Sequence, residues 1–173
     1  STAAITRLLA LATKPAKGGK FGRGIEVGAG ASAGVDASAF VGNAESAFVV
    51  DAYANATIRQ SVLRGSGSGG VTGFGLLVVD NASVALSGSW VRDTAGVGLA
   101  FGGAAFGSID TTAVLDNDIG IYADSTTSIT ETDVVPDSLS SATVDVVSST
   151  SFVGNTTRVS ADAIPLPGAN TGL

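Results

Sequence analysis

The chain has 173 residues, a net charge of −6, 24 glycines and neither cysteine nor histidine. It is long enough for one domain with a sizeable core, and the missing residue types exclude disulfides, a thiol nucleophile, a histidine base and a His/Cys metal site. We therefore predict no metal and no cofactor. The apolar residues are mostly Ala and Val, which favours short strands joined by tight turns.

The first 23 residues are basic, with five Lys or Arg and no acid, whereas the remainder carries four arginines against all fifteen acids. Such a cluster predicts contact with an anionic polysaccharide, lipid head groups or the acidic body of another copy. The alternative is a solubilising loop. The candidate anion- or partner-binding residues are Lys14, Lys17, Lys20 and Arg23.

An internal repeat extends along almost the whole chain. The segment SAFVGN (38–43) returns as TSFVGN (150–155), and four columns follow when the chain is aligned on it. The aliphatic column is Val35, Ile58, Leu86, Ile109, Ile129, Val147. The hydroxyl column is Ser38, Ser61, Ser89, Thr112, Thr132, Thr150. The apolar column is Phe40, Leu63, Val91, Val114, Val134, Phe152. The polar column is Asn43, Ser66, Thr94, Asn117, Asp137, Asn155.

A second block precedes each copy: a small residue followed by alternating apolar positions, as in Gly24-Ile25-x-Val27 and Gly75-Leu76-x-Val78. A further copy is predicted to start at Leu139. Units this short cannot bury their own apolar face and must stack on one another. In-register stacking predicts an all-β fold: a right-handed parallel β-helix, a solenoid of about six or seven coils, with hydroxyl and amide ladders at its corners.

The segments FGRGIEVGAGASAGV (21–35), ATIRQSVLRGS (56–66) and SWVRDTAGVGLAF (89–101) resemble the parallel β-helix repeats of bacterial secreted and surface proteins, of the pectin-lyase-like fold. The resemblance implies a fold, not an activity. The predicted organisation is a first partial coil with a basic loop in 1–23, coils in 24–156, and a tail or cap in 157–173.

One segment of the chain contains a glycine motif of the kind that binds dinucleotides. Gly65-x-Gly67-x-x-Gly70 matches a dinucleotide-binding fingerprint, but that motif requires a helix after the glycines to face the pyrophosphate. The following residues, VTGFGLLVVD, predict a strand. We therefore do not predict a nucleotide site.

Trp90, Asp93 and Asp116 are the candidate sugar-binding residues. Enzymes that have the fold implied by the resemblance usually act on acidic or neutral polysaccharides with paired carboxylates, or with Ca²⁺ and a basic residue. Asp93 and Asp116 share a column on adjacent coils, but the columns place no Arg or Lys above or below them. Solvated turn aspartates, and a tryptophan packed under a loop, are the alternatives.

Alternation predicts which residues point outward from the third strand of each coil. The intervening positions give an apolar stripe whose members are interface candidates: Val49, Leu77, Val79, Ala100, Tyr122. The alternative is that Val71 and Phe74 fold back and cover them.

These features predict a non-catalytic structural or interaction module of an exported bacterial protein, located outside the cell or on its surface. Its partners would be other copies of itself, laterally or end to end, in an oligomer or filament. The alternative is a carbohydrate-binding or polysaccharide-active domain. No segment reaches transmembrane length and no nucleic-acid motif occurs, so neither membrane insertion nor nucleic-acid binding is expected.

Overall fold

A computed structural model describes residues 1–15, 22–67 and 73–160 together with Ile164 and Leu166. Within these residues the chain forms nineteen β-strands and no helix. The first sheet contains β1 (Thr2–Thr6), β4 (Ser32–Asp36), β7 (Asn55–Arg59), β10 (Ser83–Ser87), β13 (Phe106–Asp110), β16 (Ser128–Thr132) and β17 (Thr143–Val147). The second contains β2 (Leu9–Leu11), β5 (Ala39–Val41), β8 (Val62–Arg64), β11 (Trp90–Arg92), β14 (Ala113–Leu115) and β18 (Ser151–Val153). The third contains β3 (Arg23–Val27), β6 (Ser46–Val50), β9 (Gly73–Val78), β12 (Gly96–Phe101), β15 (Ile119–Ala123) and β19 (Thr157–Ser160).

From β1 to β15 the chain visits the first, second and third sheets in turn, and we call each such passage a coil. Equivalent strands of successive coils pair in parallel and in register, as the column Val35↔Ile58↔Leu86↔Ile109 illustrates. The prediction of an all-β fold with stacked parallel strands is confirmed. The arrangement is consistent with a parallel β-helix.

The core lies inside the coils, where alternate side chains of all three sheets meet. Phe40 from the second sheet and Phe48 from the third pack edge to face, with ring centroids 5.4 Å apart, a favourable aromatic geometry. The large interior side chains with almost no solvent contact are Phe40, Phe48, Ile58, Leu63, Leu76, Leu86, Leu99, Phe101, Ile109 and Ile121.

Backbone in the left-handed region turns the chain at the corners. After the second sheet, the same position of successive coils has positive φ, with values from 51° to 72° at Ala12, Gly42, Gly65, Asp93, Asp116 and Gly154. Glycine, and to a lesser degree Asp, adopts this conformation at little cost. Gly42 and Gly154 therefore ease the turn at this corner.

The hydroxyl column forms a ladder at the corner between the first and second sheets. The amide of Ser38 donates to Ser61 Oγ, and the amide of Ser61 donates to Ser89 Oγ, each at 3.1 Å. Each hydroxyl in turn donates to a carbonyl two residues earlier, as Ser61 does to Arg59. The ladder thus satisfies buried backbone groups between coils.

The asparagine column depends on the small residue of the preceding coil. A Cβ placed on Gly24 would lie 2.8 Å from Asn43 Nδ2, and one on Gly98 would lie 2.9 Å from Asn117 Nδ2. Where the small residue is Ala47 instead of glycine, the next coil carries Ser66 in place of asparagine. Each asparagine of this column therefore faces a glycine for a steric reason, although a glycine does not require asparagine, since Gly75 is followed in the next coil by Thr94.

The predicted coil over 129–137 does not form. β16 lies at the outer edge of the first sheet, and β17 lies between β16 and β13, with Ile129 opposite Val144. Val134 is exposed and lies outside any strand, and no strand starts at Leu139. Val146, one residue before the predicted Val147, pairs with Ile109. The placements of Ile129, Thr132, Val134, Asp137 and Val147 in the columns were therefore wrong.

Pro136 gives a physical reason for this departure. Counted from Val134, it falls at the corner position that Asp93, Asp116 and Gly154 occupy in their coils with positive φ. The proline ring fixes φ near −65°, so this corner cannot form there. The chain instead continues to Thr143, where β17 fills the next position of the first sheet.

The stacked strands also extend beyond residue 156. Thr157–Ser160 form β19, which pairs with β15, although 157–173 was predicted as tail or cap. Ile164 and Leu166 then pack against the outside of the third sheet.

Candidate functional site

The third-sheet outer face, which contains the predicted interface stripe, is buried. Its apolar members form a second core cluster: Val49, Phe74, Leu77, Val79, Val97, Ala100 and Tyr122. None of the five predicted interface residues Val49, Leu77, Val79, Ala100 and Tyr122 is more than 5% exposed. They do lie outside the main core, but the expectation that they form a solvent-exposed stripe was wrong.

Side chains from two places cover this face. Phe74, as the alternative predicted, belongs to the same cluster, while Val71 lies outside the described residues. Ile164 and Leu166, which follow the last strand, pack on the cluster. The amide of Ile164 donates to the hydroxyl of Tyr122 at 3.3 Å, and the missing side chain of Gly102 leaves the space that Leu166 occupies.

The second-sheet outer face carries several exposed apolar side chains. Each of its short strands points its central residue into the core and its first and last residues outward. Four outward side chains are more than half exposed: Leu9 (60%), Leu11 (58%), Trp90 (53%) and Val153 (61%). The remaining members of this face are Ala39, Val41, Val62, Arg64, Arg92, Ala113, Leu115 and Ser151.

The sequence contained a signal for this face. The last residues of the short strands are Leu11, Val41, Leu115 and Val153, apart from two arginines. This column flanks the inward Phe40 column, so alternation alone makes it an outward apolar column. Only the column of Trp90 was predicted to point outward here, and its neighbour was missed.

A charged row crosses the middle of the second-sheet outer face. Arg64 Nε lies 2.8 Å and Arg92 Nε 3.0 Å from Asp93 Oδ2, and Arg92 also lies 3.9 Å from Asp116. The column of these aspartates contains no Arg or Lys, as expected, but both arginines reach Asp93 from the strand position before that column. The row is balanced in charge and links the coils of β8, β11 and β14.

The state of Asp93 follows from this row. Burial raises the pKa of Asp93, but the hydrogen bonds and charges of Arg64 and Arg92 outweigh it and hold the pKa below its ordinary value. General-acid catalysis needs a proton on the carboxyl at working pH. Asp93 is instead a fixed anion, which suits it to ion pairing and hydrogen-bond acceptance.

Trp90 stands beside this row. It lies between Val62 and Ala113 of the adjacent strands, two side chains that leave its indole exposed. The alternative of a tryptophan packed under a loop does not fit this exposure. The structure thus brings Trp90, Asp93 and Asp116 to one surface, as the sequence predicted, and adds Arg64 and Arg92.

The predicted basic site is divided by the structure. Lys14 is exposed, while Lys17 and Lys20 lie outside the described residues. Arg23 is buried and has acidic partners: its guanidinium lies 3.0 Å from Glu26 and 3.0 Å from Glu45. Arg23 therefore anchors β3 instead of presenting a charge to an external anion, and its inclusion in the anion site was wrong.

A cleft of about 310 Å³ lies at the end of the solenoid where β16 projects past the other two sheets. The ion pair of Glu131 with Arg158 lies in its wall, and Arg158 also stacks over Phe152, 5.2 Å from the ring centroid. The arginine has two partners within the chain, which fix its position.

Three further features concern nucleotide binding, metal binding and membrane spanning. In the glycine motif, Gly65 and Gly67 both have positive φ and β9 follows, as expected, while Gly70 lies outside the described residues. Over residues 1–15, 22–67 and 73–160, no three Asp or Glu residues are grouped as metal ligands. In the same part of the chain, no helix has the length and hydropathy to cross a bilayer.

No protein-family model matches this chain, and comparison with curated proteins and with solved structures finds no match.

Proposed function

We propose that the protein is a non-catalytic structural module of an exported bacterial surface protein, which self-associates through the second-sheet outer face. In this proposal the chain forms a right-handed β-helix of six or seven coils that acts as a rigid rod. Its partner is a second copy of the chain, and larger oligomers or filaments follow where such contacts repeat.

One observation carries the proposal: Leu9, Leu11, Trp90 and Val153 are more than half exposed on one face. Several exposed apolar side chains on one face are typical of interaction sites, and an exposed tryptophan beside arginines is typical of interface centres. The face contains both members of its charge pairs, the arginines and the aspartates. It is therefore self-complementary, which favours a second copy as its partner.

The size of the face predicts a weak contact. Six strands at a spacing of about 4.8 Å, each three residues long, give a surface of about 24 Å by 10 Å. This is smaller than the roughly 800 Å² per partner of a standard stable interface. We therefore expect a pair of copies to dissociate readily and repeated contacts to hold by avidity.

Sedimentation velocity over a range of protein concentrations tests the proposal. Wild type is expected to shift toward dimer as its concentration rises, and Trp90→Ser and Leu11→Ser are each expected to weaken dimerisation about tenfold or more, as truncated interface anchors do. Tyr53→Ser is the matched control because Tyr53 is a large exposed aromatic residue, 69% exposed, at a corner away from this face.

Two results would contradict self-association through this face. One is a wild type that remains monomeric at the highest soluble concentration in low salt. The other is a dimer that Tyr53→Ser weakens as much as Trp90→Ser does.

The second candidate function is carbohydrate binding at Trp90. The specific observation in its favour is an exposed indole next to a fixed row of hydrogen-bonding charges, Arg64, Arg92 and Asp93. A pyranose ring can stack on the indole while its hydroxyls meet the charged groups. Affinity electrophoresis in gels with neutral and acidic polysaccharides distinguishes the two functions. Retardation of wild type that Trp90→Ala removes and Tyr53→Ala leaves intact supports sugar binding, and unretarded wild type removes it.

A further inference from the structure

Two aspartates occupy the same column of the third sheet in opposite environments. Asp51 follows β6 and Asp124 follows β15, and each packs against a glycine of the preceding coil, Gly28 and Gly102 respectively. Asp124 accepts hydrogen bonds from the amide of Gly103 at 3.0 Å and from the amide and hydroxyl of Thr126 at 2.8 and 2.6 Å. Asp124 is thus held as a carboxylate.

Asp51 has no such donors. It is only 2% exposed, and its Oδ2 is buried without a hydrogen-bond partner. Burial first, and then the charge and hydrogen bond of Glu26, raise the pKa of Asp51 to about 6, while Arg23 lowers it and Asp80 raises it further. A buried carboxylate without donors is costly, and taking up a proton removes that cost.

The charged groups around Asp51 are mostly acidic. Arg23 is the one basic residue among the groups that act on Asp51, and its guanidinium contacts Glu26 and Glu45. The remaining groups, Glu26 and Asp80, repel a second negative charge. A proton on Asp51 turns its carboxyl into a donor. Glu26 is placed to accept it, because Glu26 lies opposite Val49, two residues before Asp51, on the same side of the neighbouring strand.

We propose that Asp51 takes up a proton at the edge of the third sheet and donates it in a hydrogen bond to the carboxylate of Glu26, and that this pair makes the fold more stable in mild acid. Glu26 is partly exposed, so solvent reaches the pair. The contact between Glu26 and Asp51 links β3 with the end of β6, the neighbouring strand.

The direction of the pH effect follows from the raised pKa. Between about pH 4 and pH 6 the folded protein binds more protons than the unfolded chain, so stability from this pair falls as pH rises and levels off above about pH 7. Asp124 behaves differently: burial raises its pKa, but hydrogen bonds from Thr126 and the nearby amides outweigh this and lower it. Asp124 is therefore ionised in both states across the same range.

Urea unfolding at constant ionic strength between pH 4.5 and pH 8 tests the proposal. The unfolding constant of wild type relative to Asp51→Asn is expected to rise about ten- to thirtyfold over this range, because one pKa unit corresponds to a factor of ten. Asp124→Asn is the matched control from the same column. Its unfolding constant relative to wild type is expected to stay constant with pH.

Glu26→Gln is a second test that does not need the Asp51 variant to fold. The glutamine amide can donate to Asp51, and the substitution removes the like charge. The fall in the free energy of unfolding between pH 4.5 and pH 8 is therefore expected to shrink by at least half. The proposal would be overturned if the free energy of unfolding changed equally with pH in wild type, Asp51→Asn and Glu26→Gln. So would an Asp51 carboxyl carbon that titrates below pH 4.5 in NMR spectra of wild type.

Discussion

The outer faces of the second and third sheets are built by the same alternation of side chains, but one is exposed to solvent and the other is buried. In both, alternate residues of stacked parallel strands point away from the core, and in both most of these residues are apolar. Leu77 on the third sheet is fully buried, whereas Leu11 on the second is more than half exposed. Alternation thus determines which side chains leave the core, but not whether another segment lies over them.

The difference arises outside the repeat. Ile164 and Leu166, which follow β19, pack across the third sheet and meet Tyr122 and Gly102. No column of the repeat contains these two residues, so the repeat cannot predict where they pack. One face consequently became a second core, and the other is the candidate surface for partners.

The largest effect expected from this contrast compares two leucines. Leu77→Ala on the third sheet should lower the free energy of unfolding by about 2–5 kcal/mol, because it leaves a cavity in a closed cluster. Leu11→Ala on the second sheet should change it by less than about 0.5 kcal/mol. Urea denaturation followed by circular dichroism measures both. Similar losses in the two variants would contradict the burial of the third-sheet outer face.

Three glycines sharpen the contrast between crowded and open backbone. A Cβ on Gly75 would lie 2.6 Å from the carbonyl oxygen of Gly98, so Gly75→Ala should cost about 1–3 kcal/mol. Gly42 has positive φ but open space around it, and Gly42→Ala should cost about 1 kcal/mol from backbone strain alone. Gly34→Ala is the control, with open space and ordinary φ, and should cost nothing. Thermal unfolding ranks the three variants, and a Gly34→Ala loss equal to that of Gly75→Ala would disprove the steric argument.

The corner between the second and third sheets allows a double-mutant cycle. Asn43 and Asn117 each face a glycine of the preceding coil, whereas Ser66 faces Ala47. Ser66→Asn should therefore destabilise the protein, because the methyl group of Ala47 occupies the space that the amide needs. Adding Ala47→Gly should restore room for the amide, giving a favourable coupling energy of about 1 kcal/mol. Denaturant unfolding of the four proteins measures it. Purely additive changes would contradict the link between the two columns.

The smallest effect concerns the charged row of the second sheet. Asp93→Asn should cost about 0.2–1 kcal/mol at pH 7, because the ion pairs with Arg64 and Arg92 are open to solvent, and asparagine tolerates the positive φ of this position. Because the pKa of Asp93 is lowered, its stabilising effect is present above about pH 4 and is lost as pH falls through the lowered value. Unfolding of wild type and variant at pH 7 and pH 2.5 measures this. A difference that persists at pH 2.5 would show that charge is not its cause.

The repeat made most of the fold predictable. Columns through Val35, Phe40 and Ser38 pair in the structure as the sequence aligned them, because identical residue types recur where parallel strands stack in register. The failure at 129–137 had a readable cause in Pro136, which occupies a corner that needs positive φ. Local backbone chemistry could have corrected that prediction.

The candidate site was predictable only in part. Trp90, Asp93 and Asp116 were found from their columns, but Arg64 and Arg92 reach Asp93 by the length and direction of their side chains, which no column reports. Arg23 looked available for an anion because Glu26 and Glu45, its partners, lie in the acidic remainder of the chain.

Strand type, the register of most coils and the composition of the interior follow from the sequence alone, because these depend on local conformation and on contacts that repeat from coil to coil. Tertiary structure alone decided which apolar face remains open to solvent and where β16 and β17 lie in the first sheet. Those outcomes depend on non-repeating contacts, such as Leu166 on Gly102, that form between residues far apart in the chain. Their free energies are set by packing and burial and not by any periodic pattern.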